Sequence, residues 1–423
     1  MTEEKKIKVA WVCHFSNEYI RKQLHFKKDI VGLIKKRQMI DFAQWNINAI
    51  NEFKKFNDVE LHVISPHIQM SSNVQEFTKD GIHYHFFRSE DDNFLFRLKR
   101  KFLKGKYLTP DYKRNSEVIL SFINSIKPDL IHVIGAENAH YSISALSMPN
   151  DIPLIVALQT LMIAPDFLKN YPISKNVYEY RSGIERKVLE RADYISIRGK
   201  RFIDILNEEI KPTPKILEMP LAVGEELAIA DYEKHYDFIY YAVDISKAAD
   251  YALEAFAIAK KKHKDITLHV VGGYSDAYMN MLKARMQELG IDDGIDFTGR
   301  LATRDDVINE VRKARFALLP LKVDLIAGTI RECMANGLPV VTTITPATPR
   351  LNDKRESILL SEKADFQAMA DNMCRLLEED GLADTLRQNA AIEIHERYSN
   401  ETAMKQWKEN YYNVIKEWKG IKE

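Results

Sequence analysis

The chain has 423 residues, 45% hydrophobic and 29% charged, and its 61 basic and 61 acidic residues cancel. That length suits two domains of roughly 200 residues rather than one core, and the balanced charge excludes a global field that would gather nucleic acid or an anionic membrane. Three cysteines, Cys13, Cys333 and Cys374, lie far apart without metal or redox spacing, which excludes a disulfide scaffold and points to a reducing compartment.

The N-terminal residues lead directly into an apolar strand, Ile7-Lys-Val-Ala-Trp-Val-Cys13. No signal peptide is therefore expected, and no apolar run approaches the ~20 residues that span a bilayer, so the expected location is the cytoplasm. Periodicity next predicts a helix over 41–56, a strand over 60–65 and a less regular region. A helix over 116–126, a strand over 129–134, a helix over 139–146, a strand over 153–158, a helix over 183–191 and a strand over 194–197 follow. This alternation indicates a doubly wound parallel α/β sheet in a first domain over 1–210.

Lys211-Pro-Thr-Pro214, with Pro220 and Gly224, reads as an interdomain linker over 211–236. The rhythm restarts with a strand over 238–243 and a helix over 248–262, then strands over 266–271, 295–298, 316–321, 340–343 and 357–360. These make a second domain over 237–399. The pair Gly272-Gly273 needs only a turn at a strand end. The last stretch, 400–423, carries Trp407, Tyr411, Tyr412 and Trp418 at helical spacing.

One segment concentrates chemistry: Asp324-Leu-Ile-Ala-Gly328-Thr329-Ile-Arg-Glu332-Cys-Met-Ala-Asn-Gly337-Leu-Pro339-Val-Val. Strand, glycine turn, short helix and strand in that order form a parallel βαβ unit. Its helix N-terminus aims backbone N–H groups above the sheet, a place that suits a phosphate. Glu332 is expected in the first turn or so, in reach of a sugar or ribose hydroxyl, with Asp324 on the loop facing the same crevice. By position alone, an acid there equally complements the helix dipole.

The segment resembles the Glu-x7-Glu signature of the large family four of retaining, nucleotide-sugar-dependent glycosyltransferases, and the run from Glu332 to Val341 matches that family's tail at nearly every position. Asp324 stands where the first glutamate normally stands, and Gly328 comes one place later than the usual glycine. The resemblance implies a GT-B fold, two Rossmann-like domains facing across a cleft, with the first binding acceptor and the second binding a nucleoside-diphosphate sugar. It also implies a C-terminal helix crossing back to the first domain, no cofactor and no metal. The implied reaction transfers sugar to a hydroxyl acceptor with retention, in cell-surface polysaccharide or glycolipid synthesis.

Residue by residue, the resemblance assigns Lys247, seven places before Glu254-Ala-Phe256, to the donor diphosphate, where it stabilises the leaving group. The arginine usually found five places earlier is replaced by Ala242, with Arg300 or Arg331 as substitutes; Arg300 also stands near the expected base and ribose. Gly328 and Thr329 supply amides, and Thr345 lies in the loop beside the transferred sugar. In the first domain, Ile134-Gly-Ala-Glu137-Asn-Ala-His140 resembles a turn of polysaccharide-assembling members, placing Glu137 and His140 on sugar hydroxyls. The residues alone fit a helix-capping acid and a surface histidine equally well. Gln159 replaces a histidine that often touches the transferred sugar, and His14 occupies the acceptor loop. Arg181-Ser-Gly-Ile-Glu185 and Ile197-Arg198-Gly-Lys200 match the same subgroup, with Arg198 directed at the diphosphate.

Basic stretches at 94–106 and 21–37 read as solvated surface; the alternative is peripheral contact with anionic lipid, which would suit a lipid-linked acceptor. The acid pairs Asp91-Asp92, Asp292-Asp293 and Asp305-Asp306 fall in apparent loops, and neither an Asp-x-Asp after a buried strand nor a His–Cys metal array is present. No nucleic-acid module is present. Two rival readings are a nucleotide-sugar epimerase or hydrolase of the same fold and a non-catalytic GT-B subunit.

Overall fold

The computed structural model describes residues 6–26, 41–92, 111–165, 167–170, 173–197, 200–222, 232–241, 248–322 and 327–422. Two compact units emerge: Met1–Pro220 with Ala403–Glu423, and Leu221–Thr402.

The first unit is built on eight strands: β1 (Ile7–Val12), β2 (Val59–His67), β3 (Val74–Lys79), β4 (Ile82–Arg88), β5 (Leu130–Ile134), β6 (Leu154–Ala157), β7 (Tyr194–Ser196) and β8 (Lys215–Leu217). They lie in the order β3-β4-β2-β1-β5-β6-β7-β8. Among these described strands, only β3 and β4 pair antiparallel. The central strands are almost wholly apolar and buried, as a parallel sheet covered on both faces requires. Because the chain leaves β1 toward β2 on one side and returns to β5 on the other, the C-terminal ends of β1 and β5 form a switch point, where such sheets bind ligands.

The stretch that looked irregular in sequence holds the β3–β4 hairpin. Its two-residue turn, Asp80 at φ 52° and Gly81 at φ 78°, has the paired positive φ that matches strand twist. Lys215–Leu217, inside the expected linker, pairs with β7 and extends this sheet.

The helix Asn400–Lys422 joins the first unit from Ala403 onward. Trp407 is 1% exposed, with its ring centroid 5.5 Å from Trp11 and 5.0 Å from His132. The Tyr411 hydroxyl lies 2.7 Å from His132 Nδ1. At the rim, Lys408 Nζ pairs with Asp58 at 2.9 Å.

The second unit carries β9 (Tyr236–Tyr241), β10 (Leu268–Val271), β11 (Ile295–Gly299), β12 (Ala314–Leu319), β13 (Val340–Thr343) and β14 (Leu359–Ser361). Their order, β11-β10-β9-β12-β13-β14, is parallel throughout. Renumbered from β9 it reads 3-2-1-4-5-6, the Rossmann order, so its switch point lies between β9 and β12. Asp305 and Asp306 are not loop residues: they occupy the first turn of the helix Arg304–Arg312, where Asp306 closes a capping box with Thr303. Asp91 and Asp92 likewise end a 3-10 turn, Glu90–Asp92.

Candidate functional site

β9 ends at Tyr241 and pairs with β12, after which the helix Gly328–Ala335 begins. Its N-cap residue, Ala327, sits in the left-handed region at φ 52° and ψ 37°, and no side chain caps the helix. The alanine thus holds a backbone conformation that a glycine adopts freely, one place before Gly328. The first turn, which carries the amides of Gly328 and Thr329, follows β12 at the switch point.

Glu332 lies one turn further in than sequence position suggested, as no acid occupies the first turn. Dipole complementation is therefore not its main contact. Arg304 Nη2 lies 2.7 Å from Glu332 Oε1, the two side chains being 20% and 19% exposed. Tyr241 presents its hydroxyl 3.0 Å from Glu332 Oε2 and 2.8 Å from the Thr329 carbonyl. Burial opposes the Arg304 charge, but the Glu332 carboxylate, with Tyr241 and Cys333, offsets it and holds the guanidinium above its usual range. Burial, reinforced by Cys333 and Glu332, keeps the Tyr241 phenol protonated.

Neither Tyr241 nor Arg304 belongs to the residues singled out by sequence. Arg304 follows a different strand, and its Thr-Arg-Asp-Asp context signals only a helix start; Tyr241 reads as the end of a buried strand. Arg331, one expected substitute cation, is 1% exposed; it reaches toward the Leu221 carbonyl at 3.5 Å and lies over the Tyr398 ring. It is packed inside the unit and is not available to a ligand. Arg300, the other, is exposed just beyond β11. Gly273 faces it so closely that an added Cβ would lie 2.7 Å from Arg300 Cβ, so that glycine answers to close packing rather than to a turn. Thr345 is buried, and its hydroxyl accepts from the amides of Ala347 and Thr348 at 3.2 and 3.3 Å; it shapes its own loop. Lys247, Asp324 and Arg198 lie outside the described residues.

In the first unit, four sequence candidates gather at its switch point in two pairs. His14, following β1, and His140, following β5, approach at 3.2 Å through Nδ1 and Nε2, one ring donating to the other. Burial holds both well below the ordinary imidazole range, His140 at about 4, so both rings are neutral. Glu137 is no exposed helix cap: it is 5% exposed, and its Oε1 accepts from Asn138 Nδ2 at 2.9 Å. With the Gln159 amide oriented to satisfy its neighbours, its nitrogen donates to Glu137 Oε1 and its oxygen accepts from Trp45 Nε1, each at 3.2 Å. Arg181 donates to the Glu137 carbonyl at 3.0 and 2.7 Å. Gly135, at φ 104°, is required here because a Cβ would stand 2.5 Å from the Tyr141 hydroxyl.

Burial raises the Glu137 carboxyl to about 7 and the fully buried Glu185 to about 8; neighbouring amides and Arg181 restrain both, and Glu137 lifts Glu185 further. Glu185 Oε2 accepts the Ile163 amide at 2.9 Å. Protonated in the fold and ionised when unfolded, these acids bind more protons in the native state, so stability falls as pH rises. The depressed histidines act in the opposite sense until an unfolded imidazole has lost its proton, by about pH 7.5. Above about pH 7.5 the acids outweigh them: denaturant midpoints fall from there to about pH 8.5, and Glu185→Gln flattens the fall. A wild-type midpoint that rises over the window contradicts the assignment.

Residues 239–379 match the family described as Glycosyl transferases group 1. An uncharacterized glycosyltransferase of Haemophilus influenzae is 26% identical over 176 residues, covering 41% of this chain and 45% of the relative. N-acetyl-alpha-D-glucosaminyl L-malate synthase of Bacillus anthracis is 22% identical over 247 residues, covering 55% and 63%. These alignments span less than two thirds of either relative. Sucrose-phosphate synthase of Thermosynechococcus elongatus superposes with a TM-score of 0.67 over 97% of this chain and 99% of its own, at 15% identity. That likeness, with the two Rossmann-like sheets, shows a GT-B fold.

Proposed function

Since residues 239–379 form a group 1 glycosyl transferase domain within a GT-B fold, we propose that the chain is a retaining glycosyltransferase. It takes sugar from a nucleoside-diphosphate donor bound at the second unit's switch point and delivers it to a hydroxyl of a glycan or lipid-linked acceptor held by the first. The observation that carries this reading is the uncapped start of the helix Gly328–Ala335 beside the Tyr241–Glu332–Arg304 cluster.

In this reading the diphosphate lies against the amides of Gly328 and Thr329, and Lys247 and Arg304 neutralise charge that grows on it as the glycosidic bond breaks. Arg304 takes over from the arginine that Ala242 displaces, and Arg300 lines the base and ribose. Glu332 and Asp324 accept from donor hydroxyls, while the departing phosphate takes the acceptor proton on the same face. Protein cations and helix amides do this work without a metal. Neutral His14 and His140 and the protonated Glu137 suit sugar hydroxyls, which both donate and accept; Gln159 orients Glu137. Arg198 remains part of the proposed diphosphate site.

The test is product analysis with donor alone and with donor plus acceptor. A transferase releases nucleoside diphosphate rapidly only with acceptor, and its product keeps the donor's anomeric configuration. Fast epimerisation or hydrolysis of donor alone favours the rival enzyme classes instead. Among the described residues no helix is long and apolar enough to cross a membrane. The basic stretch 94–106 lies outside those residues, and peripheral contact is proposed on its composition alone. Salt-sensitive sedimentation with anionic vesicles supports that contact, and its absence removes it.

A further inference from the structure

Apart from the switch points, the first unit carries a histidine cluster that neither sequence spacing nor the proposed reaction uses. The parallel pairing of β2 with β4 sets His62 opposite His83, and the antiparallel pairing of β4 with β3 sets His85 opposite Glu76 and His83 opposite Thr78. With side chains alternating along each strand, Glu60, His62, His83, His85 and Glu76 share one face of the sheet. The rings of His62 and His83 stack with centroids 4.5 Å apart.

Proton counting shows what the cluster lacks. His62 Nε2 lies 3.0 Å from Glu60 Oε1, His62 Nδ1 lies 3.0 Å from His85 Nε2, and His85 Nδ1 lies 2.6 Å from Glu76 Oε1. Three contacts need three protons, but two neutral imidazoles carry only two. The third contact therefore needs either a further proton or a cation.

A cation in place of the third proton resolves the conflict. If His62 uses Nε2 as a metal ligand, its Nδ1–H donates to His85 Nε2, and His85 Nδ1–H donates to Glu76, with both rings neutral. His83 Nδ1 is engaged by Thr78 Oγ1 at 2.9 Å, which leaves Nε2 as its ligating nitrogen. One ligand atom each from Glu60, His62 and His83 lie within 4.8 Å of one another. Two imidazoles and a carboxylate are a ligand set of zinc, and a histidine backed by a further acceptor is the usual outer support of such a site. Among the described residues Lys8 opposes a cation here, its Nζ lying 3.6 Å from Glu60 Oε1 on a side chain 43% exposed, able to turn into solvent.

We propose that Glu60, His62 and His83 bind one divalent transition-metal ion of the zinc type, with His85 and Glu76 orienting His62 from behind. The site joins β2 to β4 in the first unit and serves the sheet rather than the sugar chemistry.

The test titrates zinc into the tag-free, full-length protein by calorimetry, with thermal melting alongside. One equivalent binds and raises the melting temperature. His83→Gln and, independently, Glu60→Gln abolish this binding while leaving the metal-free melting temperature near that of wild type; both positions are partly exposed, so these variants are expected to fold. His85→Gln, which removes only the support, weakens binding by about 10- to 100-fold. A second group, His263, Cys374 and Glu378, also clusters, but Lys262 already pairs with Glu378, and His263→Gln leaves zinc binding unchanged. No binding at neutral pH, binding that survives His83→Gln and Glu60→Gln, or binding lost in His263→Gln overturns the proposal.

Discussion

Glu332→Gln lowers kcat/KM by about 10- to 100-fold, the range that follows from losing a hydrogen bond between a charged group and its partner. The substitution separates function from folding because of the geometry around it. Tyr241 can give its proton to the Thr329 carbonyl at 2.8 Å and accept from the new amide, while the glutamine oxygen keeps its contact with Arg304. Every local donor retains an acceptor, so the variant folds, and its melting temperature falls only by what the lost counter-charge to Arg304 costs. What disappears is the negative charge that holds donor hydroxyls and balances Arg304. Steady-state kinetics at saturating acceptor checks this, and an unchanged kcat/KM removes Glu332 from the donor site. Arg304→Met should lower activity as well, and the two losses should not add, since the groups touch.

Trp407→Ala destabilises the first unit by about 3–5 kcal/mol, the cost of emptying a large aromatic site. The ring is 1% exposed and packs edge-on against Trp11 and His132, residues on β1 and β5 at the centre of the sheet. The C-terminal helix therefore completes the first unit's core rather than decorating its surface. Denaturant unfolding followed by near-ultraviolet circular dichroism reads the effect, and a loss below about 1 kcal/mol, the scale of a surface change, contradicts this packing.

Much of the fold was legible because parallel α/β sheets announce themselves: buried apolar runs such as Leu130–Ile134 alternate with amphipathic helices, and their sequence gives the order of elements. The β3–β4 hairpin was readable in principle from Asp80-Gly81 between alternating strands, but its histidines and glutamates masked the hydrophobic period. Lys215–Leu217 was too short and too polar to stand out from the prolines around it. Glu332 stood out in sequence because its motif lies in one contiguous segment. Arg304 and Tyr241 did not, because a switch point gathers the ends of different strands and no local pattern records which ends meet. The same limit hid the Glu60–His62–His83 cluster, whose members come together only through strand register. In the first unit, the pairing of His14 with His140 and the burial of Glu137 turned residues ambiguous in sequence into a largely buried polar cluster.

Calorimetric titration with a panel of nucleoside diphosphates tests the central claim, that the amides at Gly328 and Thr329 and the neighbouring cations form a diphosphate site. The account predicts that one nucleoside diphosphate binds with a stoichiometry of one, that the matching monophosphate binds far more weakly, and that Arg304→Met weakens the diphosphate selectively. No heat from any nucleoside diphosphate at millimolar concentration, or equal affinity for diphosphate and bare nucleoside, contradicts it.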